Sequence, residues 1–170
     1  MSLPSAASLR TLPDEQIQQV LDLLFEPSPA LTVLLLPSIQ CNSIESYTEL
    51  SNLVREILLS QPSRSPTLLE LLSSHPRLGA KKVDSSQSQN EQRSLGNDTE
   101  REQLQRLNEE YEAAFPGLRY VVFVNGRSSD IIMEDMKVRI RDGTFEGEVK
   151  QACEAMCDIA TDRAKKLGRD

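Results

Sequence analysis

An imidazole, a hydroxyl, a carboxylate and a carboxamide fall within 18 positions of this chain, as His75, Ser88, Glu91 and Gln92. His75 is the sole histidine of the 170 residues. Imidazole takes and gives protons near neutral pH, and a nearby carboxylate orients or tunes it. A hydroxyl and a carboxamide supply the donors and acceptors that hold a polar small molecule. The four together describe a candidate acid–base site. Each also has an ordinary reading. A histidine at a helix end caps or fills, and Ser88-x-x-Glu91 has the spacing of a capping box.

A second candidate lies far downstream. Phe145, Val149, Ala152, Met156, Ile159 and Arg163 recur every three or four residues, which puts them on one face of a predicted last helix, Phe145 to Leu167. Arginine on a buried stripe is unusual unless paired. It either lays its stem along apolar surface with its head on helix carbonyls, or faces inward to hold an anion. Cys153 and Cys157 are four apart on the same helix and read as small core residues rather than half a metal site; with Cys41 the count is odd and lacks zinc-like spacing.

Helices must position these groups. The first is predicted from Pro13 to Phe25, with Ile17, Val20, Leu21 and Leu24 on one face and Thr11/Asp14 as its start signal. Ser28-Pro29 opens a second through Ala30 to Leu36, for which a strand competes. Ser43 caps a third to Ser60. Ser65-Pro66 starts a fourth that runs to His75, because Pro76 disfavours helix in the residue before it; the helix dipole there favours protonated imidazole. Gly79 to Asn97 is polar, and a segment of that length is either functional or disordered. A long helix with Thr99 and Glu102 as a capping box runs to Phe115. Leu118 to Val124 has strand propensity, and a further helix follows, capped by Ser128 or Ser129 and ending before Asp142-Gly143.

The whole reads as one domain over residues 1–170, with 1–10 expected to be flexible. A net charge of -7 excludes a basic nucleic-acid face and argues against docking on anionic lipid. No segment reaches membrane-spanning length. The N-terminal residues lack a signal-peptide apolar run, and the closing L-G-R-D is not a peroxisomal tripeptide. Cytoplasm is therefore expected, with the peroxisome as alternative.

H-P-R-L-G (His75 to Gly79) followed by S-Q-x-E-Q (Ser88 to Gln92) resembles the signature pair of the OHCU decarboxylases, the 2-oxo-4-hydroxy-4-carboxy-5-ureidoimidazoline decarboxylases of urate degradation. L-N-E-E-Y-E-A-A-F (Leu107 to Phe115), R-Y-V-V-F-V-N-G and I-A-T-D-R-A-K-K-L are similar to later segments of that family. The resemblance implies an all-α, single-domain bundle of about eight helices, a homodimer, a small-molecule substrate and no cofactor. It also implies helical or irregular backbone, not a strand, at Leu118 to Val124. By position, His75, Glu91 and Arg163 would be catalytic, with Arg163 pairing with the carboxylate that leaves. Pro76, Ser88, Gln89, Asn90, Glu91 and Gln92, with Leu118, Arg119, Tyr120, Val121 and Val122, would bind substrate. Arg119 and Tyr120 replace the Pro and Phe common in the family, which bears on the shape of the ring pocket. The rival readings are a non-enzymatic helical interaction module and a family member with an altered substrate. Convergence of His75, Glu91 and Arg163 on one pocket separates the enzyme from the module.

Overall fold

The computed structural model describes residues 3–80, 86–91 and 98–169, without the side chains of Ser86 and Glu91. Regular structure among the described residues is entirely helical: a 3-10 helix at Ala6–Thr11, then α1 (Asp14–Phe25), α2 (Pro29–Cys41), α3 (Tyr47–Ser60), α4 (Pro66–Leu72), α5 (Ser86–Glu91), α6 (Asp98–Ala114), α7 (Ser129–Asp142) and α8 (Phe145–Lys166). No single helix among them is long and apolar enough to cross a membrane.

The axis is α8. Its 22 residues span about 33 Å at the α-helical rise. Its buried face is built of small and flexible residues, among them Ala152, Cys153, Met156, Cys157, Ala160 and Ala164. Small side chains let neighbours approach closely, and α1, α3 and α4 all pack on it. Arg55 of α3 reaches α8 twice, with Nε 2.7 Å from Glu154 and Nη2 2.9 Å from Asp158. Both cysteine thiols are pushed up to about 12 by burial, as the core reading requires. The absence of Trp is met by leucine: Leu21, Leu24, Leu35, Leu50, Leu58, Leu71 and Leu72 are all fully or almost fully buried.

Several expectations are revised. The second helix does not stop at Leu36. It continues through Pro37 to Cys41; the carbonyl that Pro37 cannot bond belongs to Val33, a residue left 77% exposed, so water can serve it. The competing strand is not formed. The third helix starts at Tyr47, because Ser46 is the cap that accepts the Glu49 N–H at 3.1 Å; Ser43 donates to Glu45 instead. Thr11 belongs to the 3-10 helix, donating to the Ser8 carbonyl, and α1 begins after Pro13. Thr99 lies inside the first turn of α6 rather than capping it. The fourth helix ends at Leu72, so His75 lies three residues past it. Residues 3–10 are not a loose tail. Leu3, Ala6 and Leu9 are buried, the Pro4 carbonyl accepts from the Tyr47 hydroxyl, and the Leu3 carbonyl accepts from Arg169.

Leu118 to Val124 is irregular backbone and joins no sheet among the described residues. Buried carbonyls need donors, and here arginines supply them. Arg139 Nη1 donates to the Val121 carbonyl at 3.3 Å, and Arg127 donates to those of Phe123 and Val124 at 2.5 and 3.1 Å. Arg139 is itself clamped by Glu148, which also accepts from the Tyr111 hydroxyl at 2.7 Å. The Tyr120 hydroxyl donates to Asp135. Strand propensity here reflects a side-chain pattern suited to burial, and without a partner strand no ladder forms.

Leu50 has no exposed surface. Leu50→Ala is expected to cost about 2–5 kcal/mol in urea unfolding through the cavity it leaves. A loss below about 1 kcal/mol would remove this face of α3 from the core.

Candidate functional site

The site begins where α4 stops. The Ser74 N–H bonds back to the Leu71 carbonyl at 3.2 Å, and the chain then enters the His75-Pro76 step, where proline favours extended backbone. His75 is 5% exposed. Its carbonyl accepts from Arg119 Nη1 at 3.2 Å, which ties it to the irregular segment that starts at Leu118. Its ring Nε2 is buried and has no hydrogen-bond partner among the described residues. A buried, unpaired ring nitrogen is costly to keep unless something else occupies it.

Beside it lies a three-element knot. Glu26 sits at the end of α1 with φ 72° and ψ 150°, a left-handed conformation for a non-glycine residue; such backbone persists only where its surroundings impose it. Its carboxylate Oε1 accepts from Ser88 Oγ of α5 at 2.5 Å and from Arg163 Nη2 of α8 at 2.7 Å. Arg163 Nη2 also reaches Ser88 Oγ at 3.0 Å, and Nη1 reaches the Leu24 carbonyl at 3.3 Å. Arg163 is 2% and Glu26 4% exposed. Burial pushes the Glu26 carboxyl up, but the Ser88 hydrogen bond and the Arg163 charge outweigh it and hold it below the usual carboxylate range. The His75 imidazole is pushed down to about 4, first by burial and then by the Arg163 charge, with Glu26 opposing. The expectation that a helix end would favour the cation is therefore corrected. The helix stops short of the histidine, and desolvation with the guanidinium dominates.

A cavity of about 280 Å³ opens over this group. His75, Pro76, Ser88, Asn90, Tyr120, Val121 and Val122 line it, as the sequence suggested. So do Phe123 to Gly126, with Ile159, Asp162 and Lys166 from α8. Leu118 and Arg119 do not line it: Leu118 is buried in the core, and Arg119 is turned onto the His75 carbonyl. Gln89 is exposed, one position around α5 from Ser88. Ser88 is not a cap, because α5 begins at Ser86. The Glu91 side chain and Gln92 lie outside the described residues. Arg163 does face inward, but it sits behind the cavity wall on Glu26. Sequence reasoning missed Glu26, Asp162 and Lys166. The signal for Glu26 was the buried arginine itself, which demands an anion, but 26 acidic residues compete for that role.

A helical single-domain architecture with a buried imidazole at a small, largely apolar cavity that carries a few polar groups defines a small-molecule site. A model of the OHCU decarboxylase family matches residues 10–165, and the chain belongs to that family. A solved structure described as (S)-allantoin synthase superposes with a TM-score of 0.66 at 22% identity, covering 96% of this chain and 54% of that one. The chain thus spans about half the length of that protein, and the likeness is one of fold. Among curated proteins no sequence matches.

Two outcomes follow. The C–H proton resonance of the sole imidazole should titrate near pH 4; a midpoint at or above the ordinary value of about 6.5 would contradict the burial argument. The sign for stability is fixed by the same shift. The unfolded chain binds the proton more readily between the two values, so this group's contribution is present above about 6.5 and lost as pH falls toward 4. Arg163→Ala leaves Glu26 buried without its cation and should lose about 3–5 kcal/mol in denaturant unfolding. An unchanged midpoint would show the pair to be dispensable.

Proposed function

We propose that this chain decarboxylates 2-oxo-4-hydroxy-4-carboxy-5-ureidoimidazoline to (S)-allantoin, without a cofactor and as a homodimer. Family membership supports the reaction class. The observation that carries the residue assignment is the buried His75 Nε2, unpartnered among the described residues at a cavity of about 280 Å³.

The substrate carries a hydroxyl and a carboxylate on one ring carbon, next to an imine. Breaking the C–CO2 bond sends its electron pair into the imine, whose nitrogen takes a proton. The resulting enol then becomes the carbonyl of allantoin: the hydroxyl proton leaves, and a proton is added to the neighbouring carbon. The balance is one carbon dioxide released and one proton taken up. No external electron sink is required. His75, neutral at rest, is suited to take the hydroxyl proton and, once charged, to return it to carbon from one face. The depressed pKa keeps it in the basic form, and makes its cation a willing donor.

Ser88 lines the cavity, with its hydroxyl donating to Glu26 and accepting from Arg163. Asn90 and the backbone of Val121 to Asn125 supply polar groups for the ureido arm and ring. Glu91 and Gln92 stand as further binding groups on the strength of the S-Q-x-E-Q motif. In this reading Arg163 acts through Glu26 and Ser88, as a positioning residue.

His75→Asn should fold, with unchanged far-ultraviolet circular dichroism. It should lose (S)-allantoin formation by at least about a hundredfold when substrate is generated from urate by urate oxidase and hydroxyisourate hydrolase. Retained acceleration would reject His75 as the acid–base group.

A further inference from the structure

We propose that Lys166 is the cation that holds the substrate carboxylate at the solvent end of the His75 cavity; the proposal rests on the decarboxylase reading above. The charges at the site point there. Arg163, the obvious anion partner from sequence, is engaged by the Glu26 carboxylate at 2.7 Å and is not among the cavity-lining residues. Arg163 and Glu26 cancel, so the floor of the site offers an anion little net attraction. Among the described lining residues the charged side chains are Asp162 and Lys166, both on the last turns of α8.

Lys166 Nζ lies 2.6 Å from Asp162 Oδ2, with side-chain exposures of 65% and 26%. Such a pair one helical turn apart, with the lysine exposed and the aspartate partly so, is weak and exchanges easily. The last-turn carbonyls do not compete for the ammonium, because Leu167, Gly168 and Arg169 N–H groups already bond those of Arg163, Ala164 and Lys165. A lysine is a mobile point charge on a four-carbon stem, able to swing from Asp162 to a carboxylate that enters the cavity. It also offsets the negative end of the α8 dipole, which would otherwise repel that anion.

The arrangement carries a consequence for turnover. Substrate displaces Asp162 from Lys166. Loss of carbon dioxide removes the charge that Lys166 was holding, and neutral allantoin has no claim on it. The Asp162–Lys166 pair reforms and the product is free to leave.

The test compares wild type with Lys166→Met and Lys166→Arg in the full chain. Lys166→Met should raise KM roughly tenfold, the size of a lost charge-assisted hydrogen bond, with kcat within about twofold and inhibition by neutral allantoin unchanged. Lys166→Arg should bring KM back to within roughly threefold of wild type. An unchanged KM in Lys166→Met, or an equal weakening of allantoin inhibition, overturns the proposal. If the wild type shows no decarboxylation, the functional reading fails, and calorimetry with orotate against uracil, a ring ureide with and without a carboxylate, decides the lysine separately. Orotate bound more tightly than uracil by wild type, but not by Lys166→Met, supports it. Orotate bound no more tightly than uracil by wild type, or an advantage that survives in Lys166→Met, overturns it.

Discussion

The site depends on one buried ion pair. Arg163 and Glu26 lie 137 positions apart and meet at 2.7 Å with almost no exposure. Burying either charge alone is costly, whereas together, with Ser88 and the Leu24 carbonyl satisfying further hydrogen-bonding capacity, they are tolerated. The pair joins the end of α1 to the last turns of α8 and draws α5 onto both through Ser88. It also imposes the left-handed backbone at Glu26 that lets the chain turn into α2. The packing of α1 and α3 along α8 supplies the rigid frame in which that geometry is held.

A second set of arginines performs a different task. The irregular segment from Leu118 to Val124 lines the cavity from Tyr120 onward, without a neighbouring strand among the described residues. Its carbonyls are carried by Arg139 and Arg127, and Arg139 is anchored on Glu148 with its guanidinium 4.5 Å from the Tyr120 ring centroid. Irregular backbone beside a site needs such support, because it cannot satisfy itself as a helix does. The substitution of Arg119 and Tyr120 for Pro and Phe acquires a structural meaning here. Arg119 binds the His75 carbonyl, and Tyr120 keeps an aromatic ring in the wall while adding a hydroxyl that finds Asp135. Arg119 thus braces the histidine from the segment facing it.

The electrostatic character of His75 follows from that enclosure. The ring is buried, a guanidinium is close, and the Glu26 carboxylate, which favours the cation, is already committed to that guanidinium. Among the described residues nothing pairs with Nε2, and burial together with the Arg163 charge favours the neutral imidazole.

Much of this was legible in the residues and their order. Helical periodicity located seven of the eight α-helices to within a few positions, and the His75 and Ser88 motifs fell on the cavity. What failed were boundaries decided by a single competing hydroxyl, such as Ser46 over Ser43, and the length of α2, where an exposed carbonyl made an internal proline affordable. By itself the chain determined which stretches bury an apolar face, that an arginine would lie on one of them, and which motif carried the imidazole, because these are properties of spacing. Only the tertiary structure decided that the arginine's partner is Glu26, that its charge is thereby withdrawn from the cavity, and that Asp162 and Lys166 stand at the cavity's edge. Those outcomes depend on distances between elements remote in sequence, and on how far burial outweighs charge, and neither quantity is written in local order.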